Sequence, residues 1–336
     1  TRIVEAVGVD AAAAPPRAAA RPIADPPRLA GDGWVEEPIS FGPGRRLFGV
    51  VTTPDRVRRD QPTVILFDAG RIPQVGWGRG GVETARALAA TGRRVLRMDT
   101  AGIGDSRAHP DGPAEVLYSR DQIEDARAAM DALADGEASR FVLIGTCSGA
   151  HVAFHAAVAD PRVVGLGLLN LQRFVWHPGD SLEIAMRNQL PATGVYRRRL
   201  FRFDTWKRLV TGRIAVATIA TELGRRWWAR VRAKVRRFVV TDPVLAELKR
   251  LSARGVAVLF VFGTDDGGRD EYAAHVGAEA RVGIDVPGAC LHLVADTDHN
   301  FGPRDARRRV TDHLVVFLDR LETPRPARAS GVAPVL

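Results

Sequence analysis

Seven short apolar runs, at 47–52, 63–67, 94–98, 141–145, 163–169, 256–262 and 290–294, punctuate the sequence, and several are continuously apolar rather than alternating. A strand that is apolar on both faces must be covered on both faces, which a sheet flanked by two helix layers provides. Helical patterns fill the intervals. Ile123, Ala126, Met130 and Leu133 recur at helix spacing, as do Val310, Leu314, Phe317, Leu318 and Leu321. Strand-helix alternation predicts an α/β protein with a mainly parallel, doubly wound sheet. Ligands of such sheets bind beyond the carboxyl ends of the strands, so the segments that follow each run are where chemistry is to be sought.

Three stretches break the alternation. Residues 1–33 read as an Ala/Pro-rich linker with no periodicity to bury a face, and 323–336 read as a loose tail. Residues 172–240 are helical in character, basic and Trp-rich, and sit between two strands, which predicts a cap inserted into a core of 34–171 and 241–322. Charge is concentrated there. Between Arg197 and Phe238 fourteen Lys/Arg face only Asp204 and Glu222, a local +12 in a chain whose net charge is +9. The remainder is a slightly acidic globule carrying one segment that attracts anions.

At the end of the 141–145 run stands Gly145-Thr146-Cys147-Ser148-Gly149, leading straight into a helical pattern. Small-x-nucleophile-x-small at a strand-to-helix junction is the signature of a nucleophile elbow, where neighbouring backbone comes too close for a β-carbon. The central residue is Cys147, and a helix N-terminus behind a thiol favours the reactive thiolate. Ser148, framed by Thr146 and Ala150, is the rival nucleophile, but β-carbons at both small positions fit an elbow badly.

An acid and a base follow in the order such an elbow requires. After the 256–262 run comes Gly263-Thr264-Asp265-Asp266-Gly267-Gly268, where Asp266 is the chosen acid and Asp265 and Asp270 are the alternatives. After the 290–294 run comes Asp298-His299-Asn300, with His299 as the base that takes the thiol proton and later delivers one. Backbone N–H groups of Ser148 and of Arg71, in the Asp68-Ala69-Gly70-Arg71 loop, are the expected oxyanion donors, each worth roughly 2.7–4 kcal/mol in a working site.

The elbow, the Asp99…Gly102-x-Gly104-x-Ser106 turn and Asp298-His299 together resemble the α/β-hydrolase superfamily over residues 35–322. More closely, Phe67-Asp-Ala-Gly70, Ile103-Gly-Asp-Ser106, Leu143-Ile-Gly-Thr-Cys-Ser-Gly-Ala150 and Met186-Arg-Asn-Gln189 resemble bacterial hydrolases associated with exosortase and polysaccharide gene clusters. The resemblance implies an α/β-hydrolase fold with an inserted helical cap and a covalent acyl-enzyme mechanism.

The expected function is an acyl hydrolase or acyltransferase using a Cys147–His299–Asp266 triad. A thiol attacks and leaves easily, which suits thioesters and activated esters better than unactivated amides. Two alternatives stay open: a lactone or carbon–carbon bond hydrolase on the same triad, and a non-catalytic binding protein that keeps the fold. Trp227, Trp228, Arg225 and Arg226 in the basic segment are expected to contact substrate, with coenzyme A or a carrier protein as the anionic handle. No cofactor is expected, and no Cys/His cluster has zinc spacing. Nucleic acid is not an expected partner, since no binding module accompanies the charge. No apolar run approaches the roughly 18 residues of a membrane helix, although the Trp-Arg pairs leave contact with a membrane surface open. Two Cys and the lack of a signal-peptide layout at residues 1–10 point to a reduced, cytoplasmic protein. The chain begins with Thr rather than Met, as expected of a processed chain or a piece of a longer one.

Overall fold

The computed structural model describes residues 27–58, 60–113, 115–136, 139–177, 180, 182 and 242–322. Nine strands form one sheet: β1 (Leu29–Gly31), β2 (Trp34–Phe41), β3 (Leu47–Pro54), β4 (Thr63–Phe67), β5 (Val95–Asp99), β6 (Phe141–Thr146), β7 (Val163–Leu169), β8 (Ala257–Gly263) and β9 (Ala289–Val294), in the order β1-β2-β3-β5-β4-β6-β7-β8-β9. The block from β5 to β9 is parallel, and β1, β2 and β3 extend it as an antiparallel edge.

Seven α-helices are described: α1 (Gly80–Ala89), α2 (Arg120–Leu133), α3 (Ser148–Ala159), α4 (Pro243–Ala253), α5 (Gly268–His275), α6 (Val282–Asp285) and α7 (Arg304–Glu322). Because side chains alternate across a strand, each parallel strand feeds two cores. In β8, Val258, Phe260 and Phe262 pack with α2, α3, α4 and α5 on one face, whereas Leu259 and Val261 pack with α1 and α7 on the other. This double burial is why the strands read as continuous apolar runs. The helical periodicities at 123–133 and 310–321 fall in α2 and α7.

One expectation needs correction. Strand β1 lies within 1–33, expected to be linker; its three exposed residues are held by ladder pairing to β2, which needs backbone groups and no apolar side chains. Strand β2 carried no prediction at all. The proposed tail at 323–336 and nearly all of the proposed cap, including Arg225, Arg226, Trp227 and Trp228, lie outside the described residues.

The sheet order sets the position of the site. The chain passes from β4 outward to β5, then crosses back to place β6 on the other side of β4. The carboxyl ends of β4 and β6 thus flank a topological switch point, the natural crevice of an open α/β sheet. Their register is level there, with Phe67 opposite Gly145, so the loop after β4 meets the turn after β6.

Candidate active site

Cys147 occupies the one-residue junction between β6 and α3, with φ 55° and ψ −112°. Positive φ is strained for a residue with a β-carbon and survives where surrounding structure over-determines it. Close packing supplies that constraint. A β-carbon on Gly145 would sit 2.1 Å from the carbonyl oxygen of Gly149, and one on Gly149 would sit 2.6 Å from the carbonyl oxygens of Phe67 and Asp68. The Cys147 N–H donates to Leu169 O at 2.9 Å, anchoring the turn to β7.

Cys147 is buried, yet it borders a cavity of about 320 Å³ shared with Gly70, Arg71, Tyr118, Ser148 and His299. The Gly70 N–H donates to Ser148 Oγ at 2.7 Å, which ties the loop after β4 to the elbow. Ser148 therefore spends its hydroxyl on the fold, while its own N–H opens α3 and has no intrahelical carbonyl to meet. Arg71 is among the residues lining the cavity, and its guanidinium pairs with Glu115 at 3.0 Å near the surface.

His299 lines the same cavity, and Asp266 is buried behind it. His299 Nδ1 lies 2.6 Å from Asp266 Oδ2. The second carboxylate oxygen, Oδ1, accepts from Gln172 Nε2 at 2.8 Å and from Gly268 N at 2.8 Å. Asp265 is exposed and Asp270 lies in the first turn of α5, so Asp266 is the carboxylate that the fold delivers to His299. With Nδ1 engaged, Nε2 is the remaining ring nitrogen, on a side chain that shares the cavity with Cys147. It is buried and makes no hydrogen bond among the described residues. Burial alone depresses an imidazolium, but the Asp266 carboxylate and the neighbouring Cys147 sulfur outweigh it and raise His299 to about 10.

Two supporting residues carried no role in the sequence pattern. Asn170, fully buried with φ 44°, accepts from Gly263 N at 2.8 Å through Oδ1 and donates from Nδ2 to His299 O at 2.7 Å. It joins the strand that bears the acid to the loop that bears the base. Gln172, expected at the start of the cap, belongs to this group by its bond to Asp266. Their signal was the polar pair in Leu169-Asn170-Leu171-Gln172, placed at the carboxyl end of a continuous apolar strand.

A buried polar layer underlies the loop after β4. Asp99 accepts from Gln74 N at 2.6 Å and Asp105 N at 3.0 Å, and Asp68 lies beside it. Burial, reinforced by the Asp99 charge, pushes Asp68 up to about 7. Among the described residues no three His, Cys, Asp or Glu side chains are grouped so as to hold a metal ion, and no helix is long and apolar enough to cross a membrane.

No family model and no curated relative matches the sequence. Solved structures do match its fold. A proline iminopeptidase of Mycobacterium smegmatis is 18% identical, with 89% of this chain and 99% of that one covered and a TM-score of 0.50. A hypothetical protein of Pseudomonas aeruginosa is 16% identical, covering 86% and 94% with a TM-score of 0.51. A candidate lipase of Acinetobacter baumannii is 14% identical, covering 87% and 93% with a TM-score of 0.50. Sheet order, flanking helices and these likenesses together define the α/β-hydrolase fold.

Proposed function

We propose that this protein is an acyl hydrolase or acyltransferase acting on a thioester or activated ester, with Cys147 as nucleophile, His299 as base and Asp266 as acid. One observation carries the reading: the unbonded Nε2 of His299 and the thiol of a strained elbow residue border the same cavity. The peptidase and lipase names of the structural neighbours agree with hydrolysis, but likenesses of this depth speak to fold. The motif resemblance to exosortase-associated hydrolases points the same way.

In the proposed reaction the Cys147 thiol gives its proton to His299 Nε2, and the sulfur attacks the acyl carbonyl carbon. The oxyanion is received by the Ser148 and Arg71 N–H groups. Collapse of the tetrahedral intermediate breaks the bond to the leaving thiol or alcohol, which departs with the proton from His299. Water, or an acceptor nucleophile, then loses a proton to His299 and attacks the acyl-Cys147 carbonyl. The free thiol is restored when its bond to the acyl group breaks. Asp266 keeps Nδ1 protonated throughout, so that Nε2 is the exchanging nitrogen. The basic segment, with Arg225, Arg226, Trp227 and Trp228, is proposed to receive the anionic carrier.

Mass spectrometry after exposure to acyl thioesters tests the reading. An acyl adduct on Cys147 that disappears in Cys147→Ala is expected, and Cys147→Ser is expected to retain slow turnover. Turnover of simple oxygen esters with every thioester ignored would refute the thioester preference. Unchanged biological function in Cys147→Ala, lost on reversing Arg225 and Arg226 to Glu, would identify a binding protein instead.

A further inference from the structure

A third side chain lines the cavity that Cys147 and His299 share. Tyr118 holds a left-handed backbone, φ 61°, which is unfavourable for a bulky residue. That conformation is clamped from several sides. Its N–H donates to Gln122 Oε1 at 2.9 Å, and the Gln122 amide in turn donates to Thr100 Oγ1 at 2.9 Å. Its ring stacks on Trp176 with centroids 4.4 Å apart and planes 3° from parallel. The ring also lies edge-on to His151, 5.0 Å away, one turn along α3 from Cys147. Tyr118 is buried and lines the same cavity as Cys147, Ser148 and His299. Strained, clamped residues of this kind mark sites where a side chain must be aimed.

We propose that Tyr118 is a catalytic residue whose phenol donates a hydrogen bond to the Cys147 sulfur in its thiolate form. The inference rests on the reading of Cys147 as nucleophile. The phenol is an O–H donor on a side chain that lines the same cavity as Cys147 and His299, so in the proposed state the thiolate accepts from both Tyr118 and protonated His299. Burial and the Cys147 charge both push the Tyr118 phenol upward, which keeps its proton in place as a donor. The other ionisable groups acting here are Arg173, which opposes that rise, Glu271, which adds to it, and His151, which burial and the neighbouring His155 hold neutral by lowering it to about 3. The bond forms as the thiol proton moves to His299 and is released when the sulfur attacks, so it serves the ion pair that precedes attack and the departing thiolate.

The test is the pH profile of Cys147 alkylation by iodoacetamide in the full chain, read by mass spectrometry. Tyr118→Phe keeps the ring, its stacking and its backbone bonds, and removes only the hydroxyl. The profile is expected to move to higher pH by about one unit, with alkylation about tenfold slower below its midpoint. Replacing Tyr118 with 3-fluorotyrosine, a stronger donor of the same shape, should move it the other way. Wild-type and Tyr118→Phe profiles that superimpose would overturn the proposal. Failure of wild-type Cys147 to accept an acyl group from any thioester is a separate outcome and overturns the nucleophile reading itself. Thermal melts check that Tyr118→Phe is folded. If it is not, the fluorotyrosine profile decides: a shift to lower pH supports the proposal, and no shift overturns it.

Discussion

Gln172 Nε2 donates a 2.8 Å hydrogen bond to Asp266 Oδ1, the carboxylate oxygen that His299 does not use. The two residues are 94 positions apart and both are buried. Together with the Gly268 N–H this amide fixes the plane of the carboxylate, so that Oδ2 points at the imidazole.

Gln172→Leu removes that donor while keeping much of the volume. A hydrogen bond to a charged group is worth about 1.5–3 kcal/mol, and here it is spent on aim. The rate of acyl-Cys147 formation is expected to fall by roughly tenfold or more, with KM little changed. Single-turnover kinetics with an acyl thioester checks this. An unchanged rate would show that Gly268 alone positions the acid.

Asn170 acts on stability as well as on geometry. Its side chain satisfies Gly263 N, at the end of β8, and His299 O, in the loop after β9, from a residue with positive φ. Asn170→Ala strands both groups and puts an alanine where asparagine is better tolerated. Chemical denaturation is expected to show a loss of about 2–4 kcal/mol, along with a weakened site.

Much of this fold was legible because its central strands are buried twice over. β4, β6, β7 and β8 have no solvent face, so their sequences advertise themselves without alternation. β2 hid for the opposite reason. It contains Glu36, Glu37 and Pro38, yet Glu36 is only 4% exposed, because Arg86 reaches it at 2.6 Å and Arg97 at 3.3 Å. Nothing local announces a buried carboxylate whose partners are 50 and 61 residues away. The elbow was readable since its glycines and nucleophile fall within five consecutive residues, even though Gly149 packs against the distant carbonyls of Phe67 and Asp68. Asn170 and Gln172 were not, since a polar pair after a strand looks like loop until the distant groups it serves are in place. Tyr118 escaped for a similar reason, as no local pattern announces its backbone strain.

Asp68 gives the chain a pH dependence of an unusual sign. Burial, with Asp99 beside it, holds its carboxyl at about 7 in the fold, against 3.8 as the ordinary value. The folded protein therefore keeps a proton that the unfolded chain gives up. Stability from this group is fully present below about pH 4 and is lost as pH rises through about 7. Asp68→Asn mimics the protonated form. Melts at pH 8 should show the variant stabilised relative to wild type by roughly 1–3 kcal/mol, with the difference gone by pH 4. Equal shifts at both pH values would place the effect outside this titration.

His275 adds a second window at higher pH. It is the last residue of α5, and its Nδ1 lies 3.1 Å from Asp242, the residue that caps α4. Its Nε2 lies 3.5 Å from Glu271, which also accepts from Phe174 N at 3.1 Å. The imidazole thus links the chain at Phe174, before the basic segment, to the chain at Asp242, after it. Burial works against its charge, but Glu271 and then Asp242 prevail and raise it above 6.5. A raised histidine stabilises fully below its unfolded value, near 6.5, and loses that contribution as pH climbs through its folded value. His275→Gln keeps a donor without a titrating charge, so its cost should be on the order of 1 kcal/mol at pH 6 and should shrink steadily in more alkaline buffer. Urea denaturation of His275→Gln and its parent between pH 6 and pH 10, both in the Asp68→Asn background, isolates the histidine, because the titration of His299 is common to the two. A cost for His275→Gln that stays constant over that range would mean that the link at Phe174 and Asp242 is held by packing and not by charge.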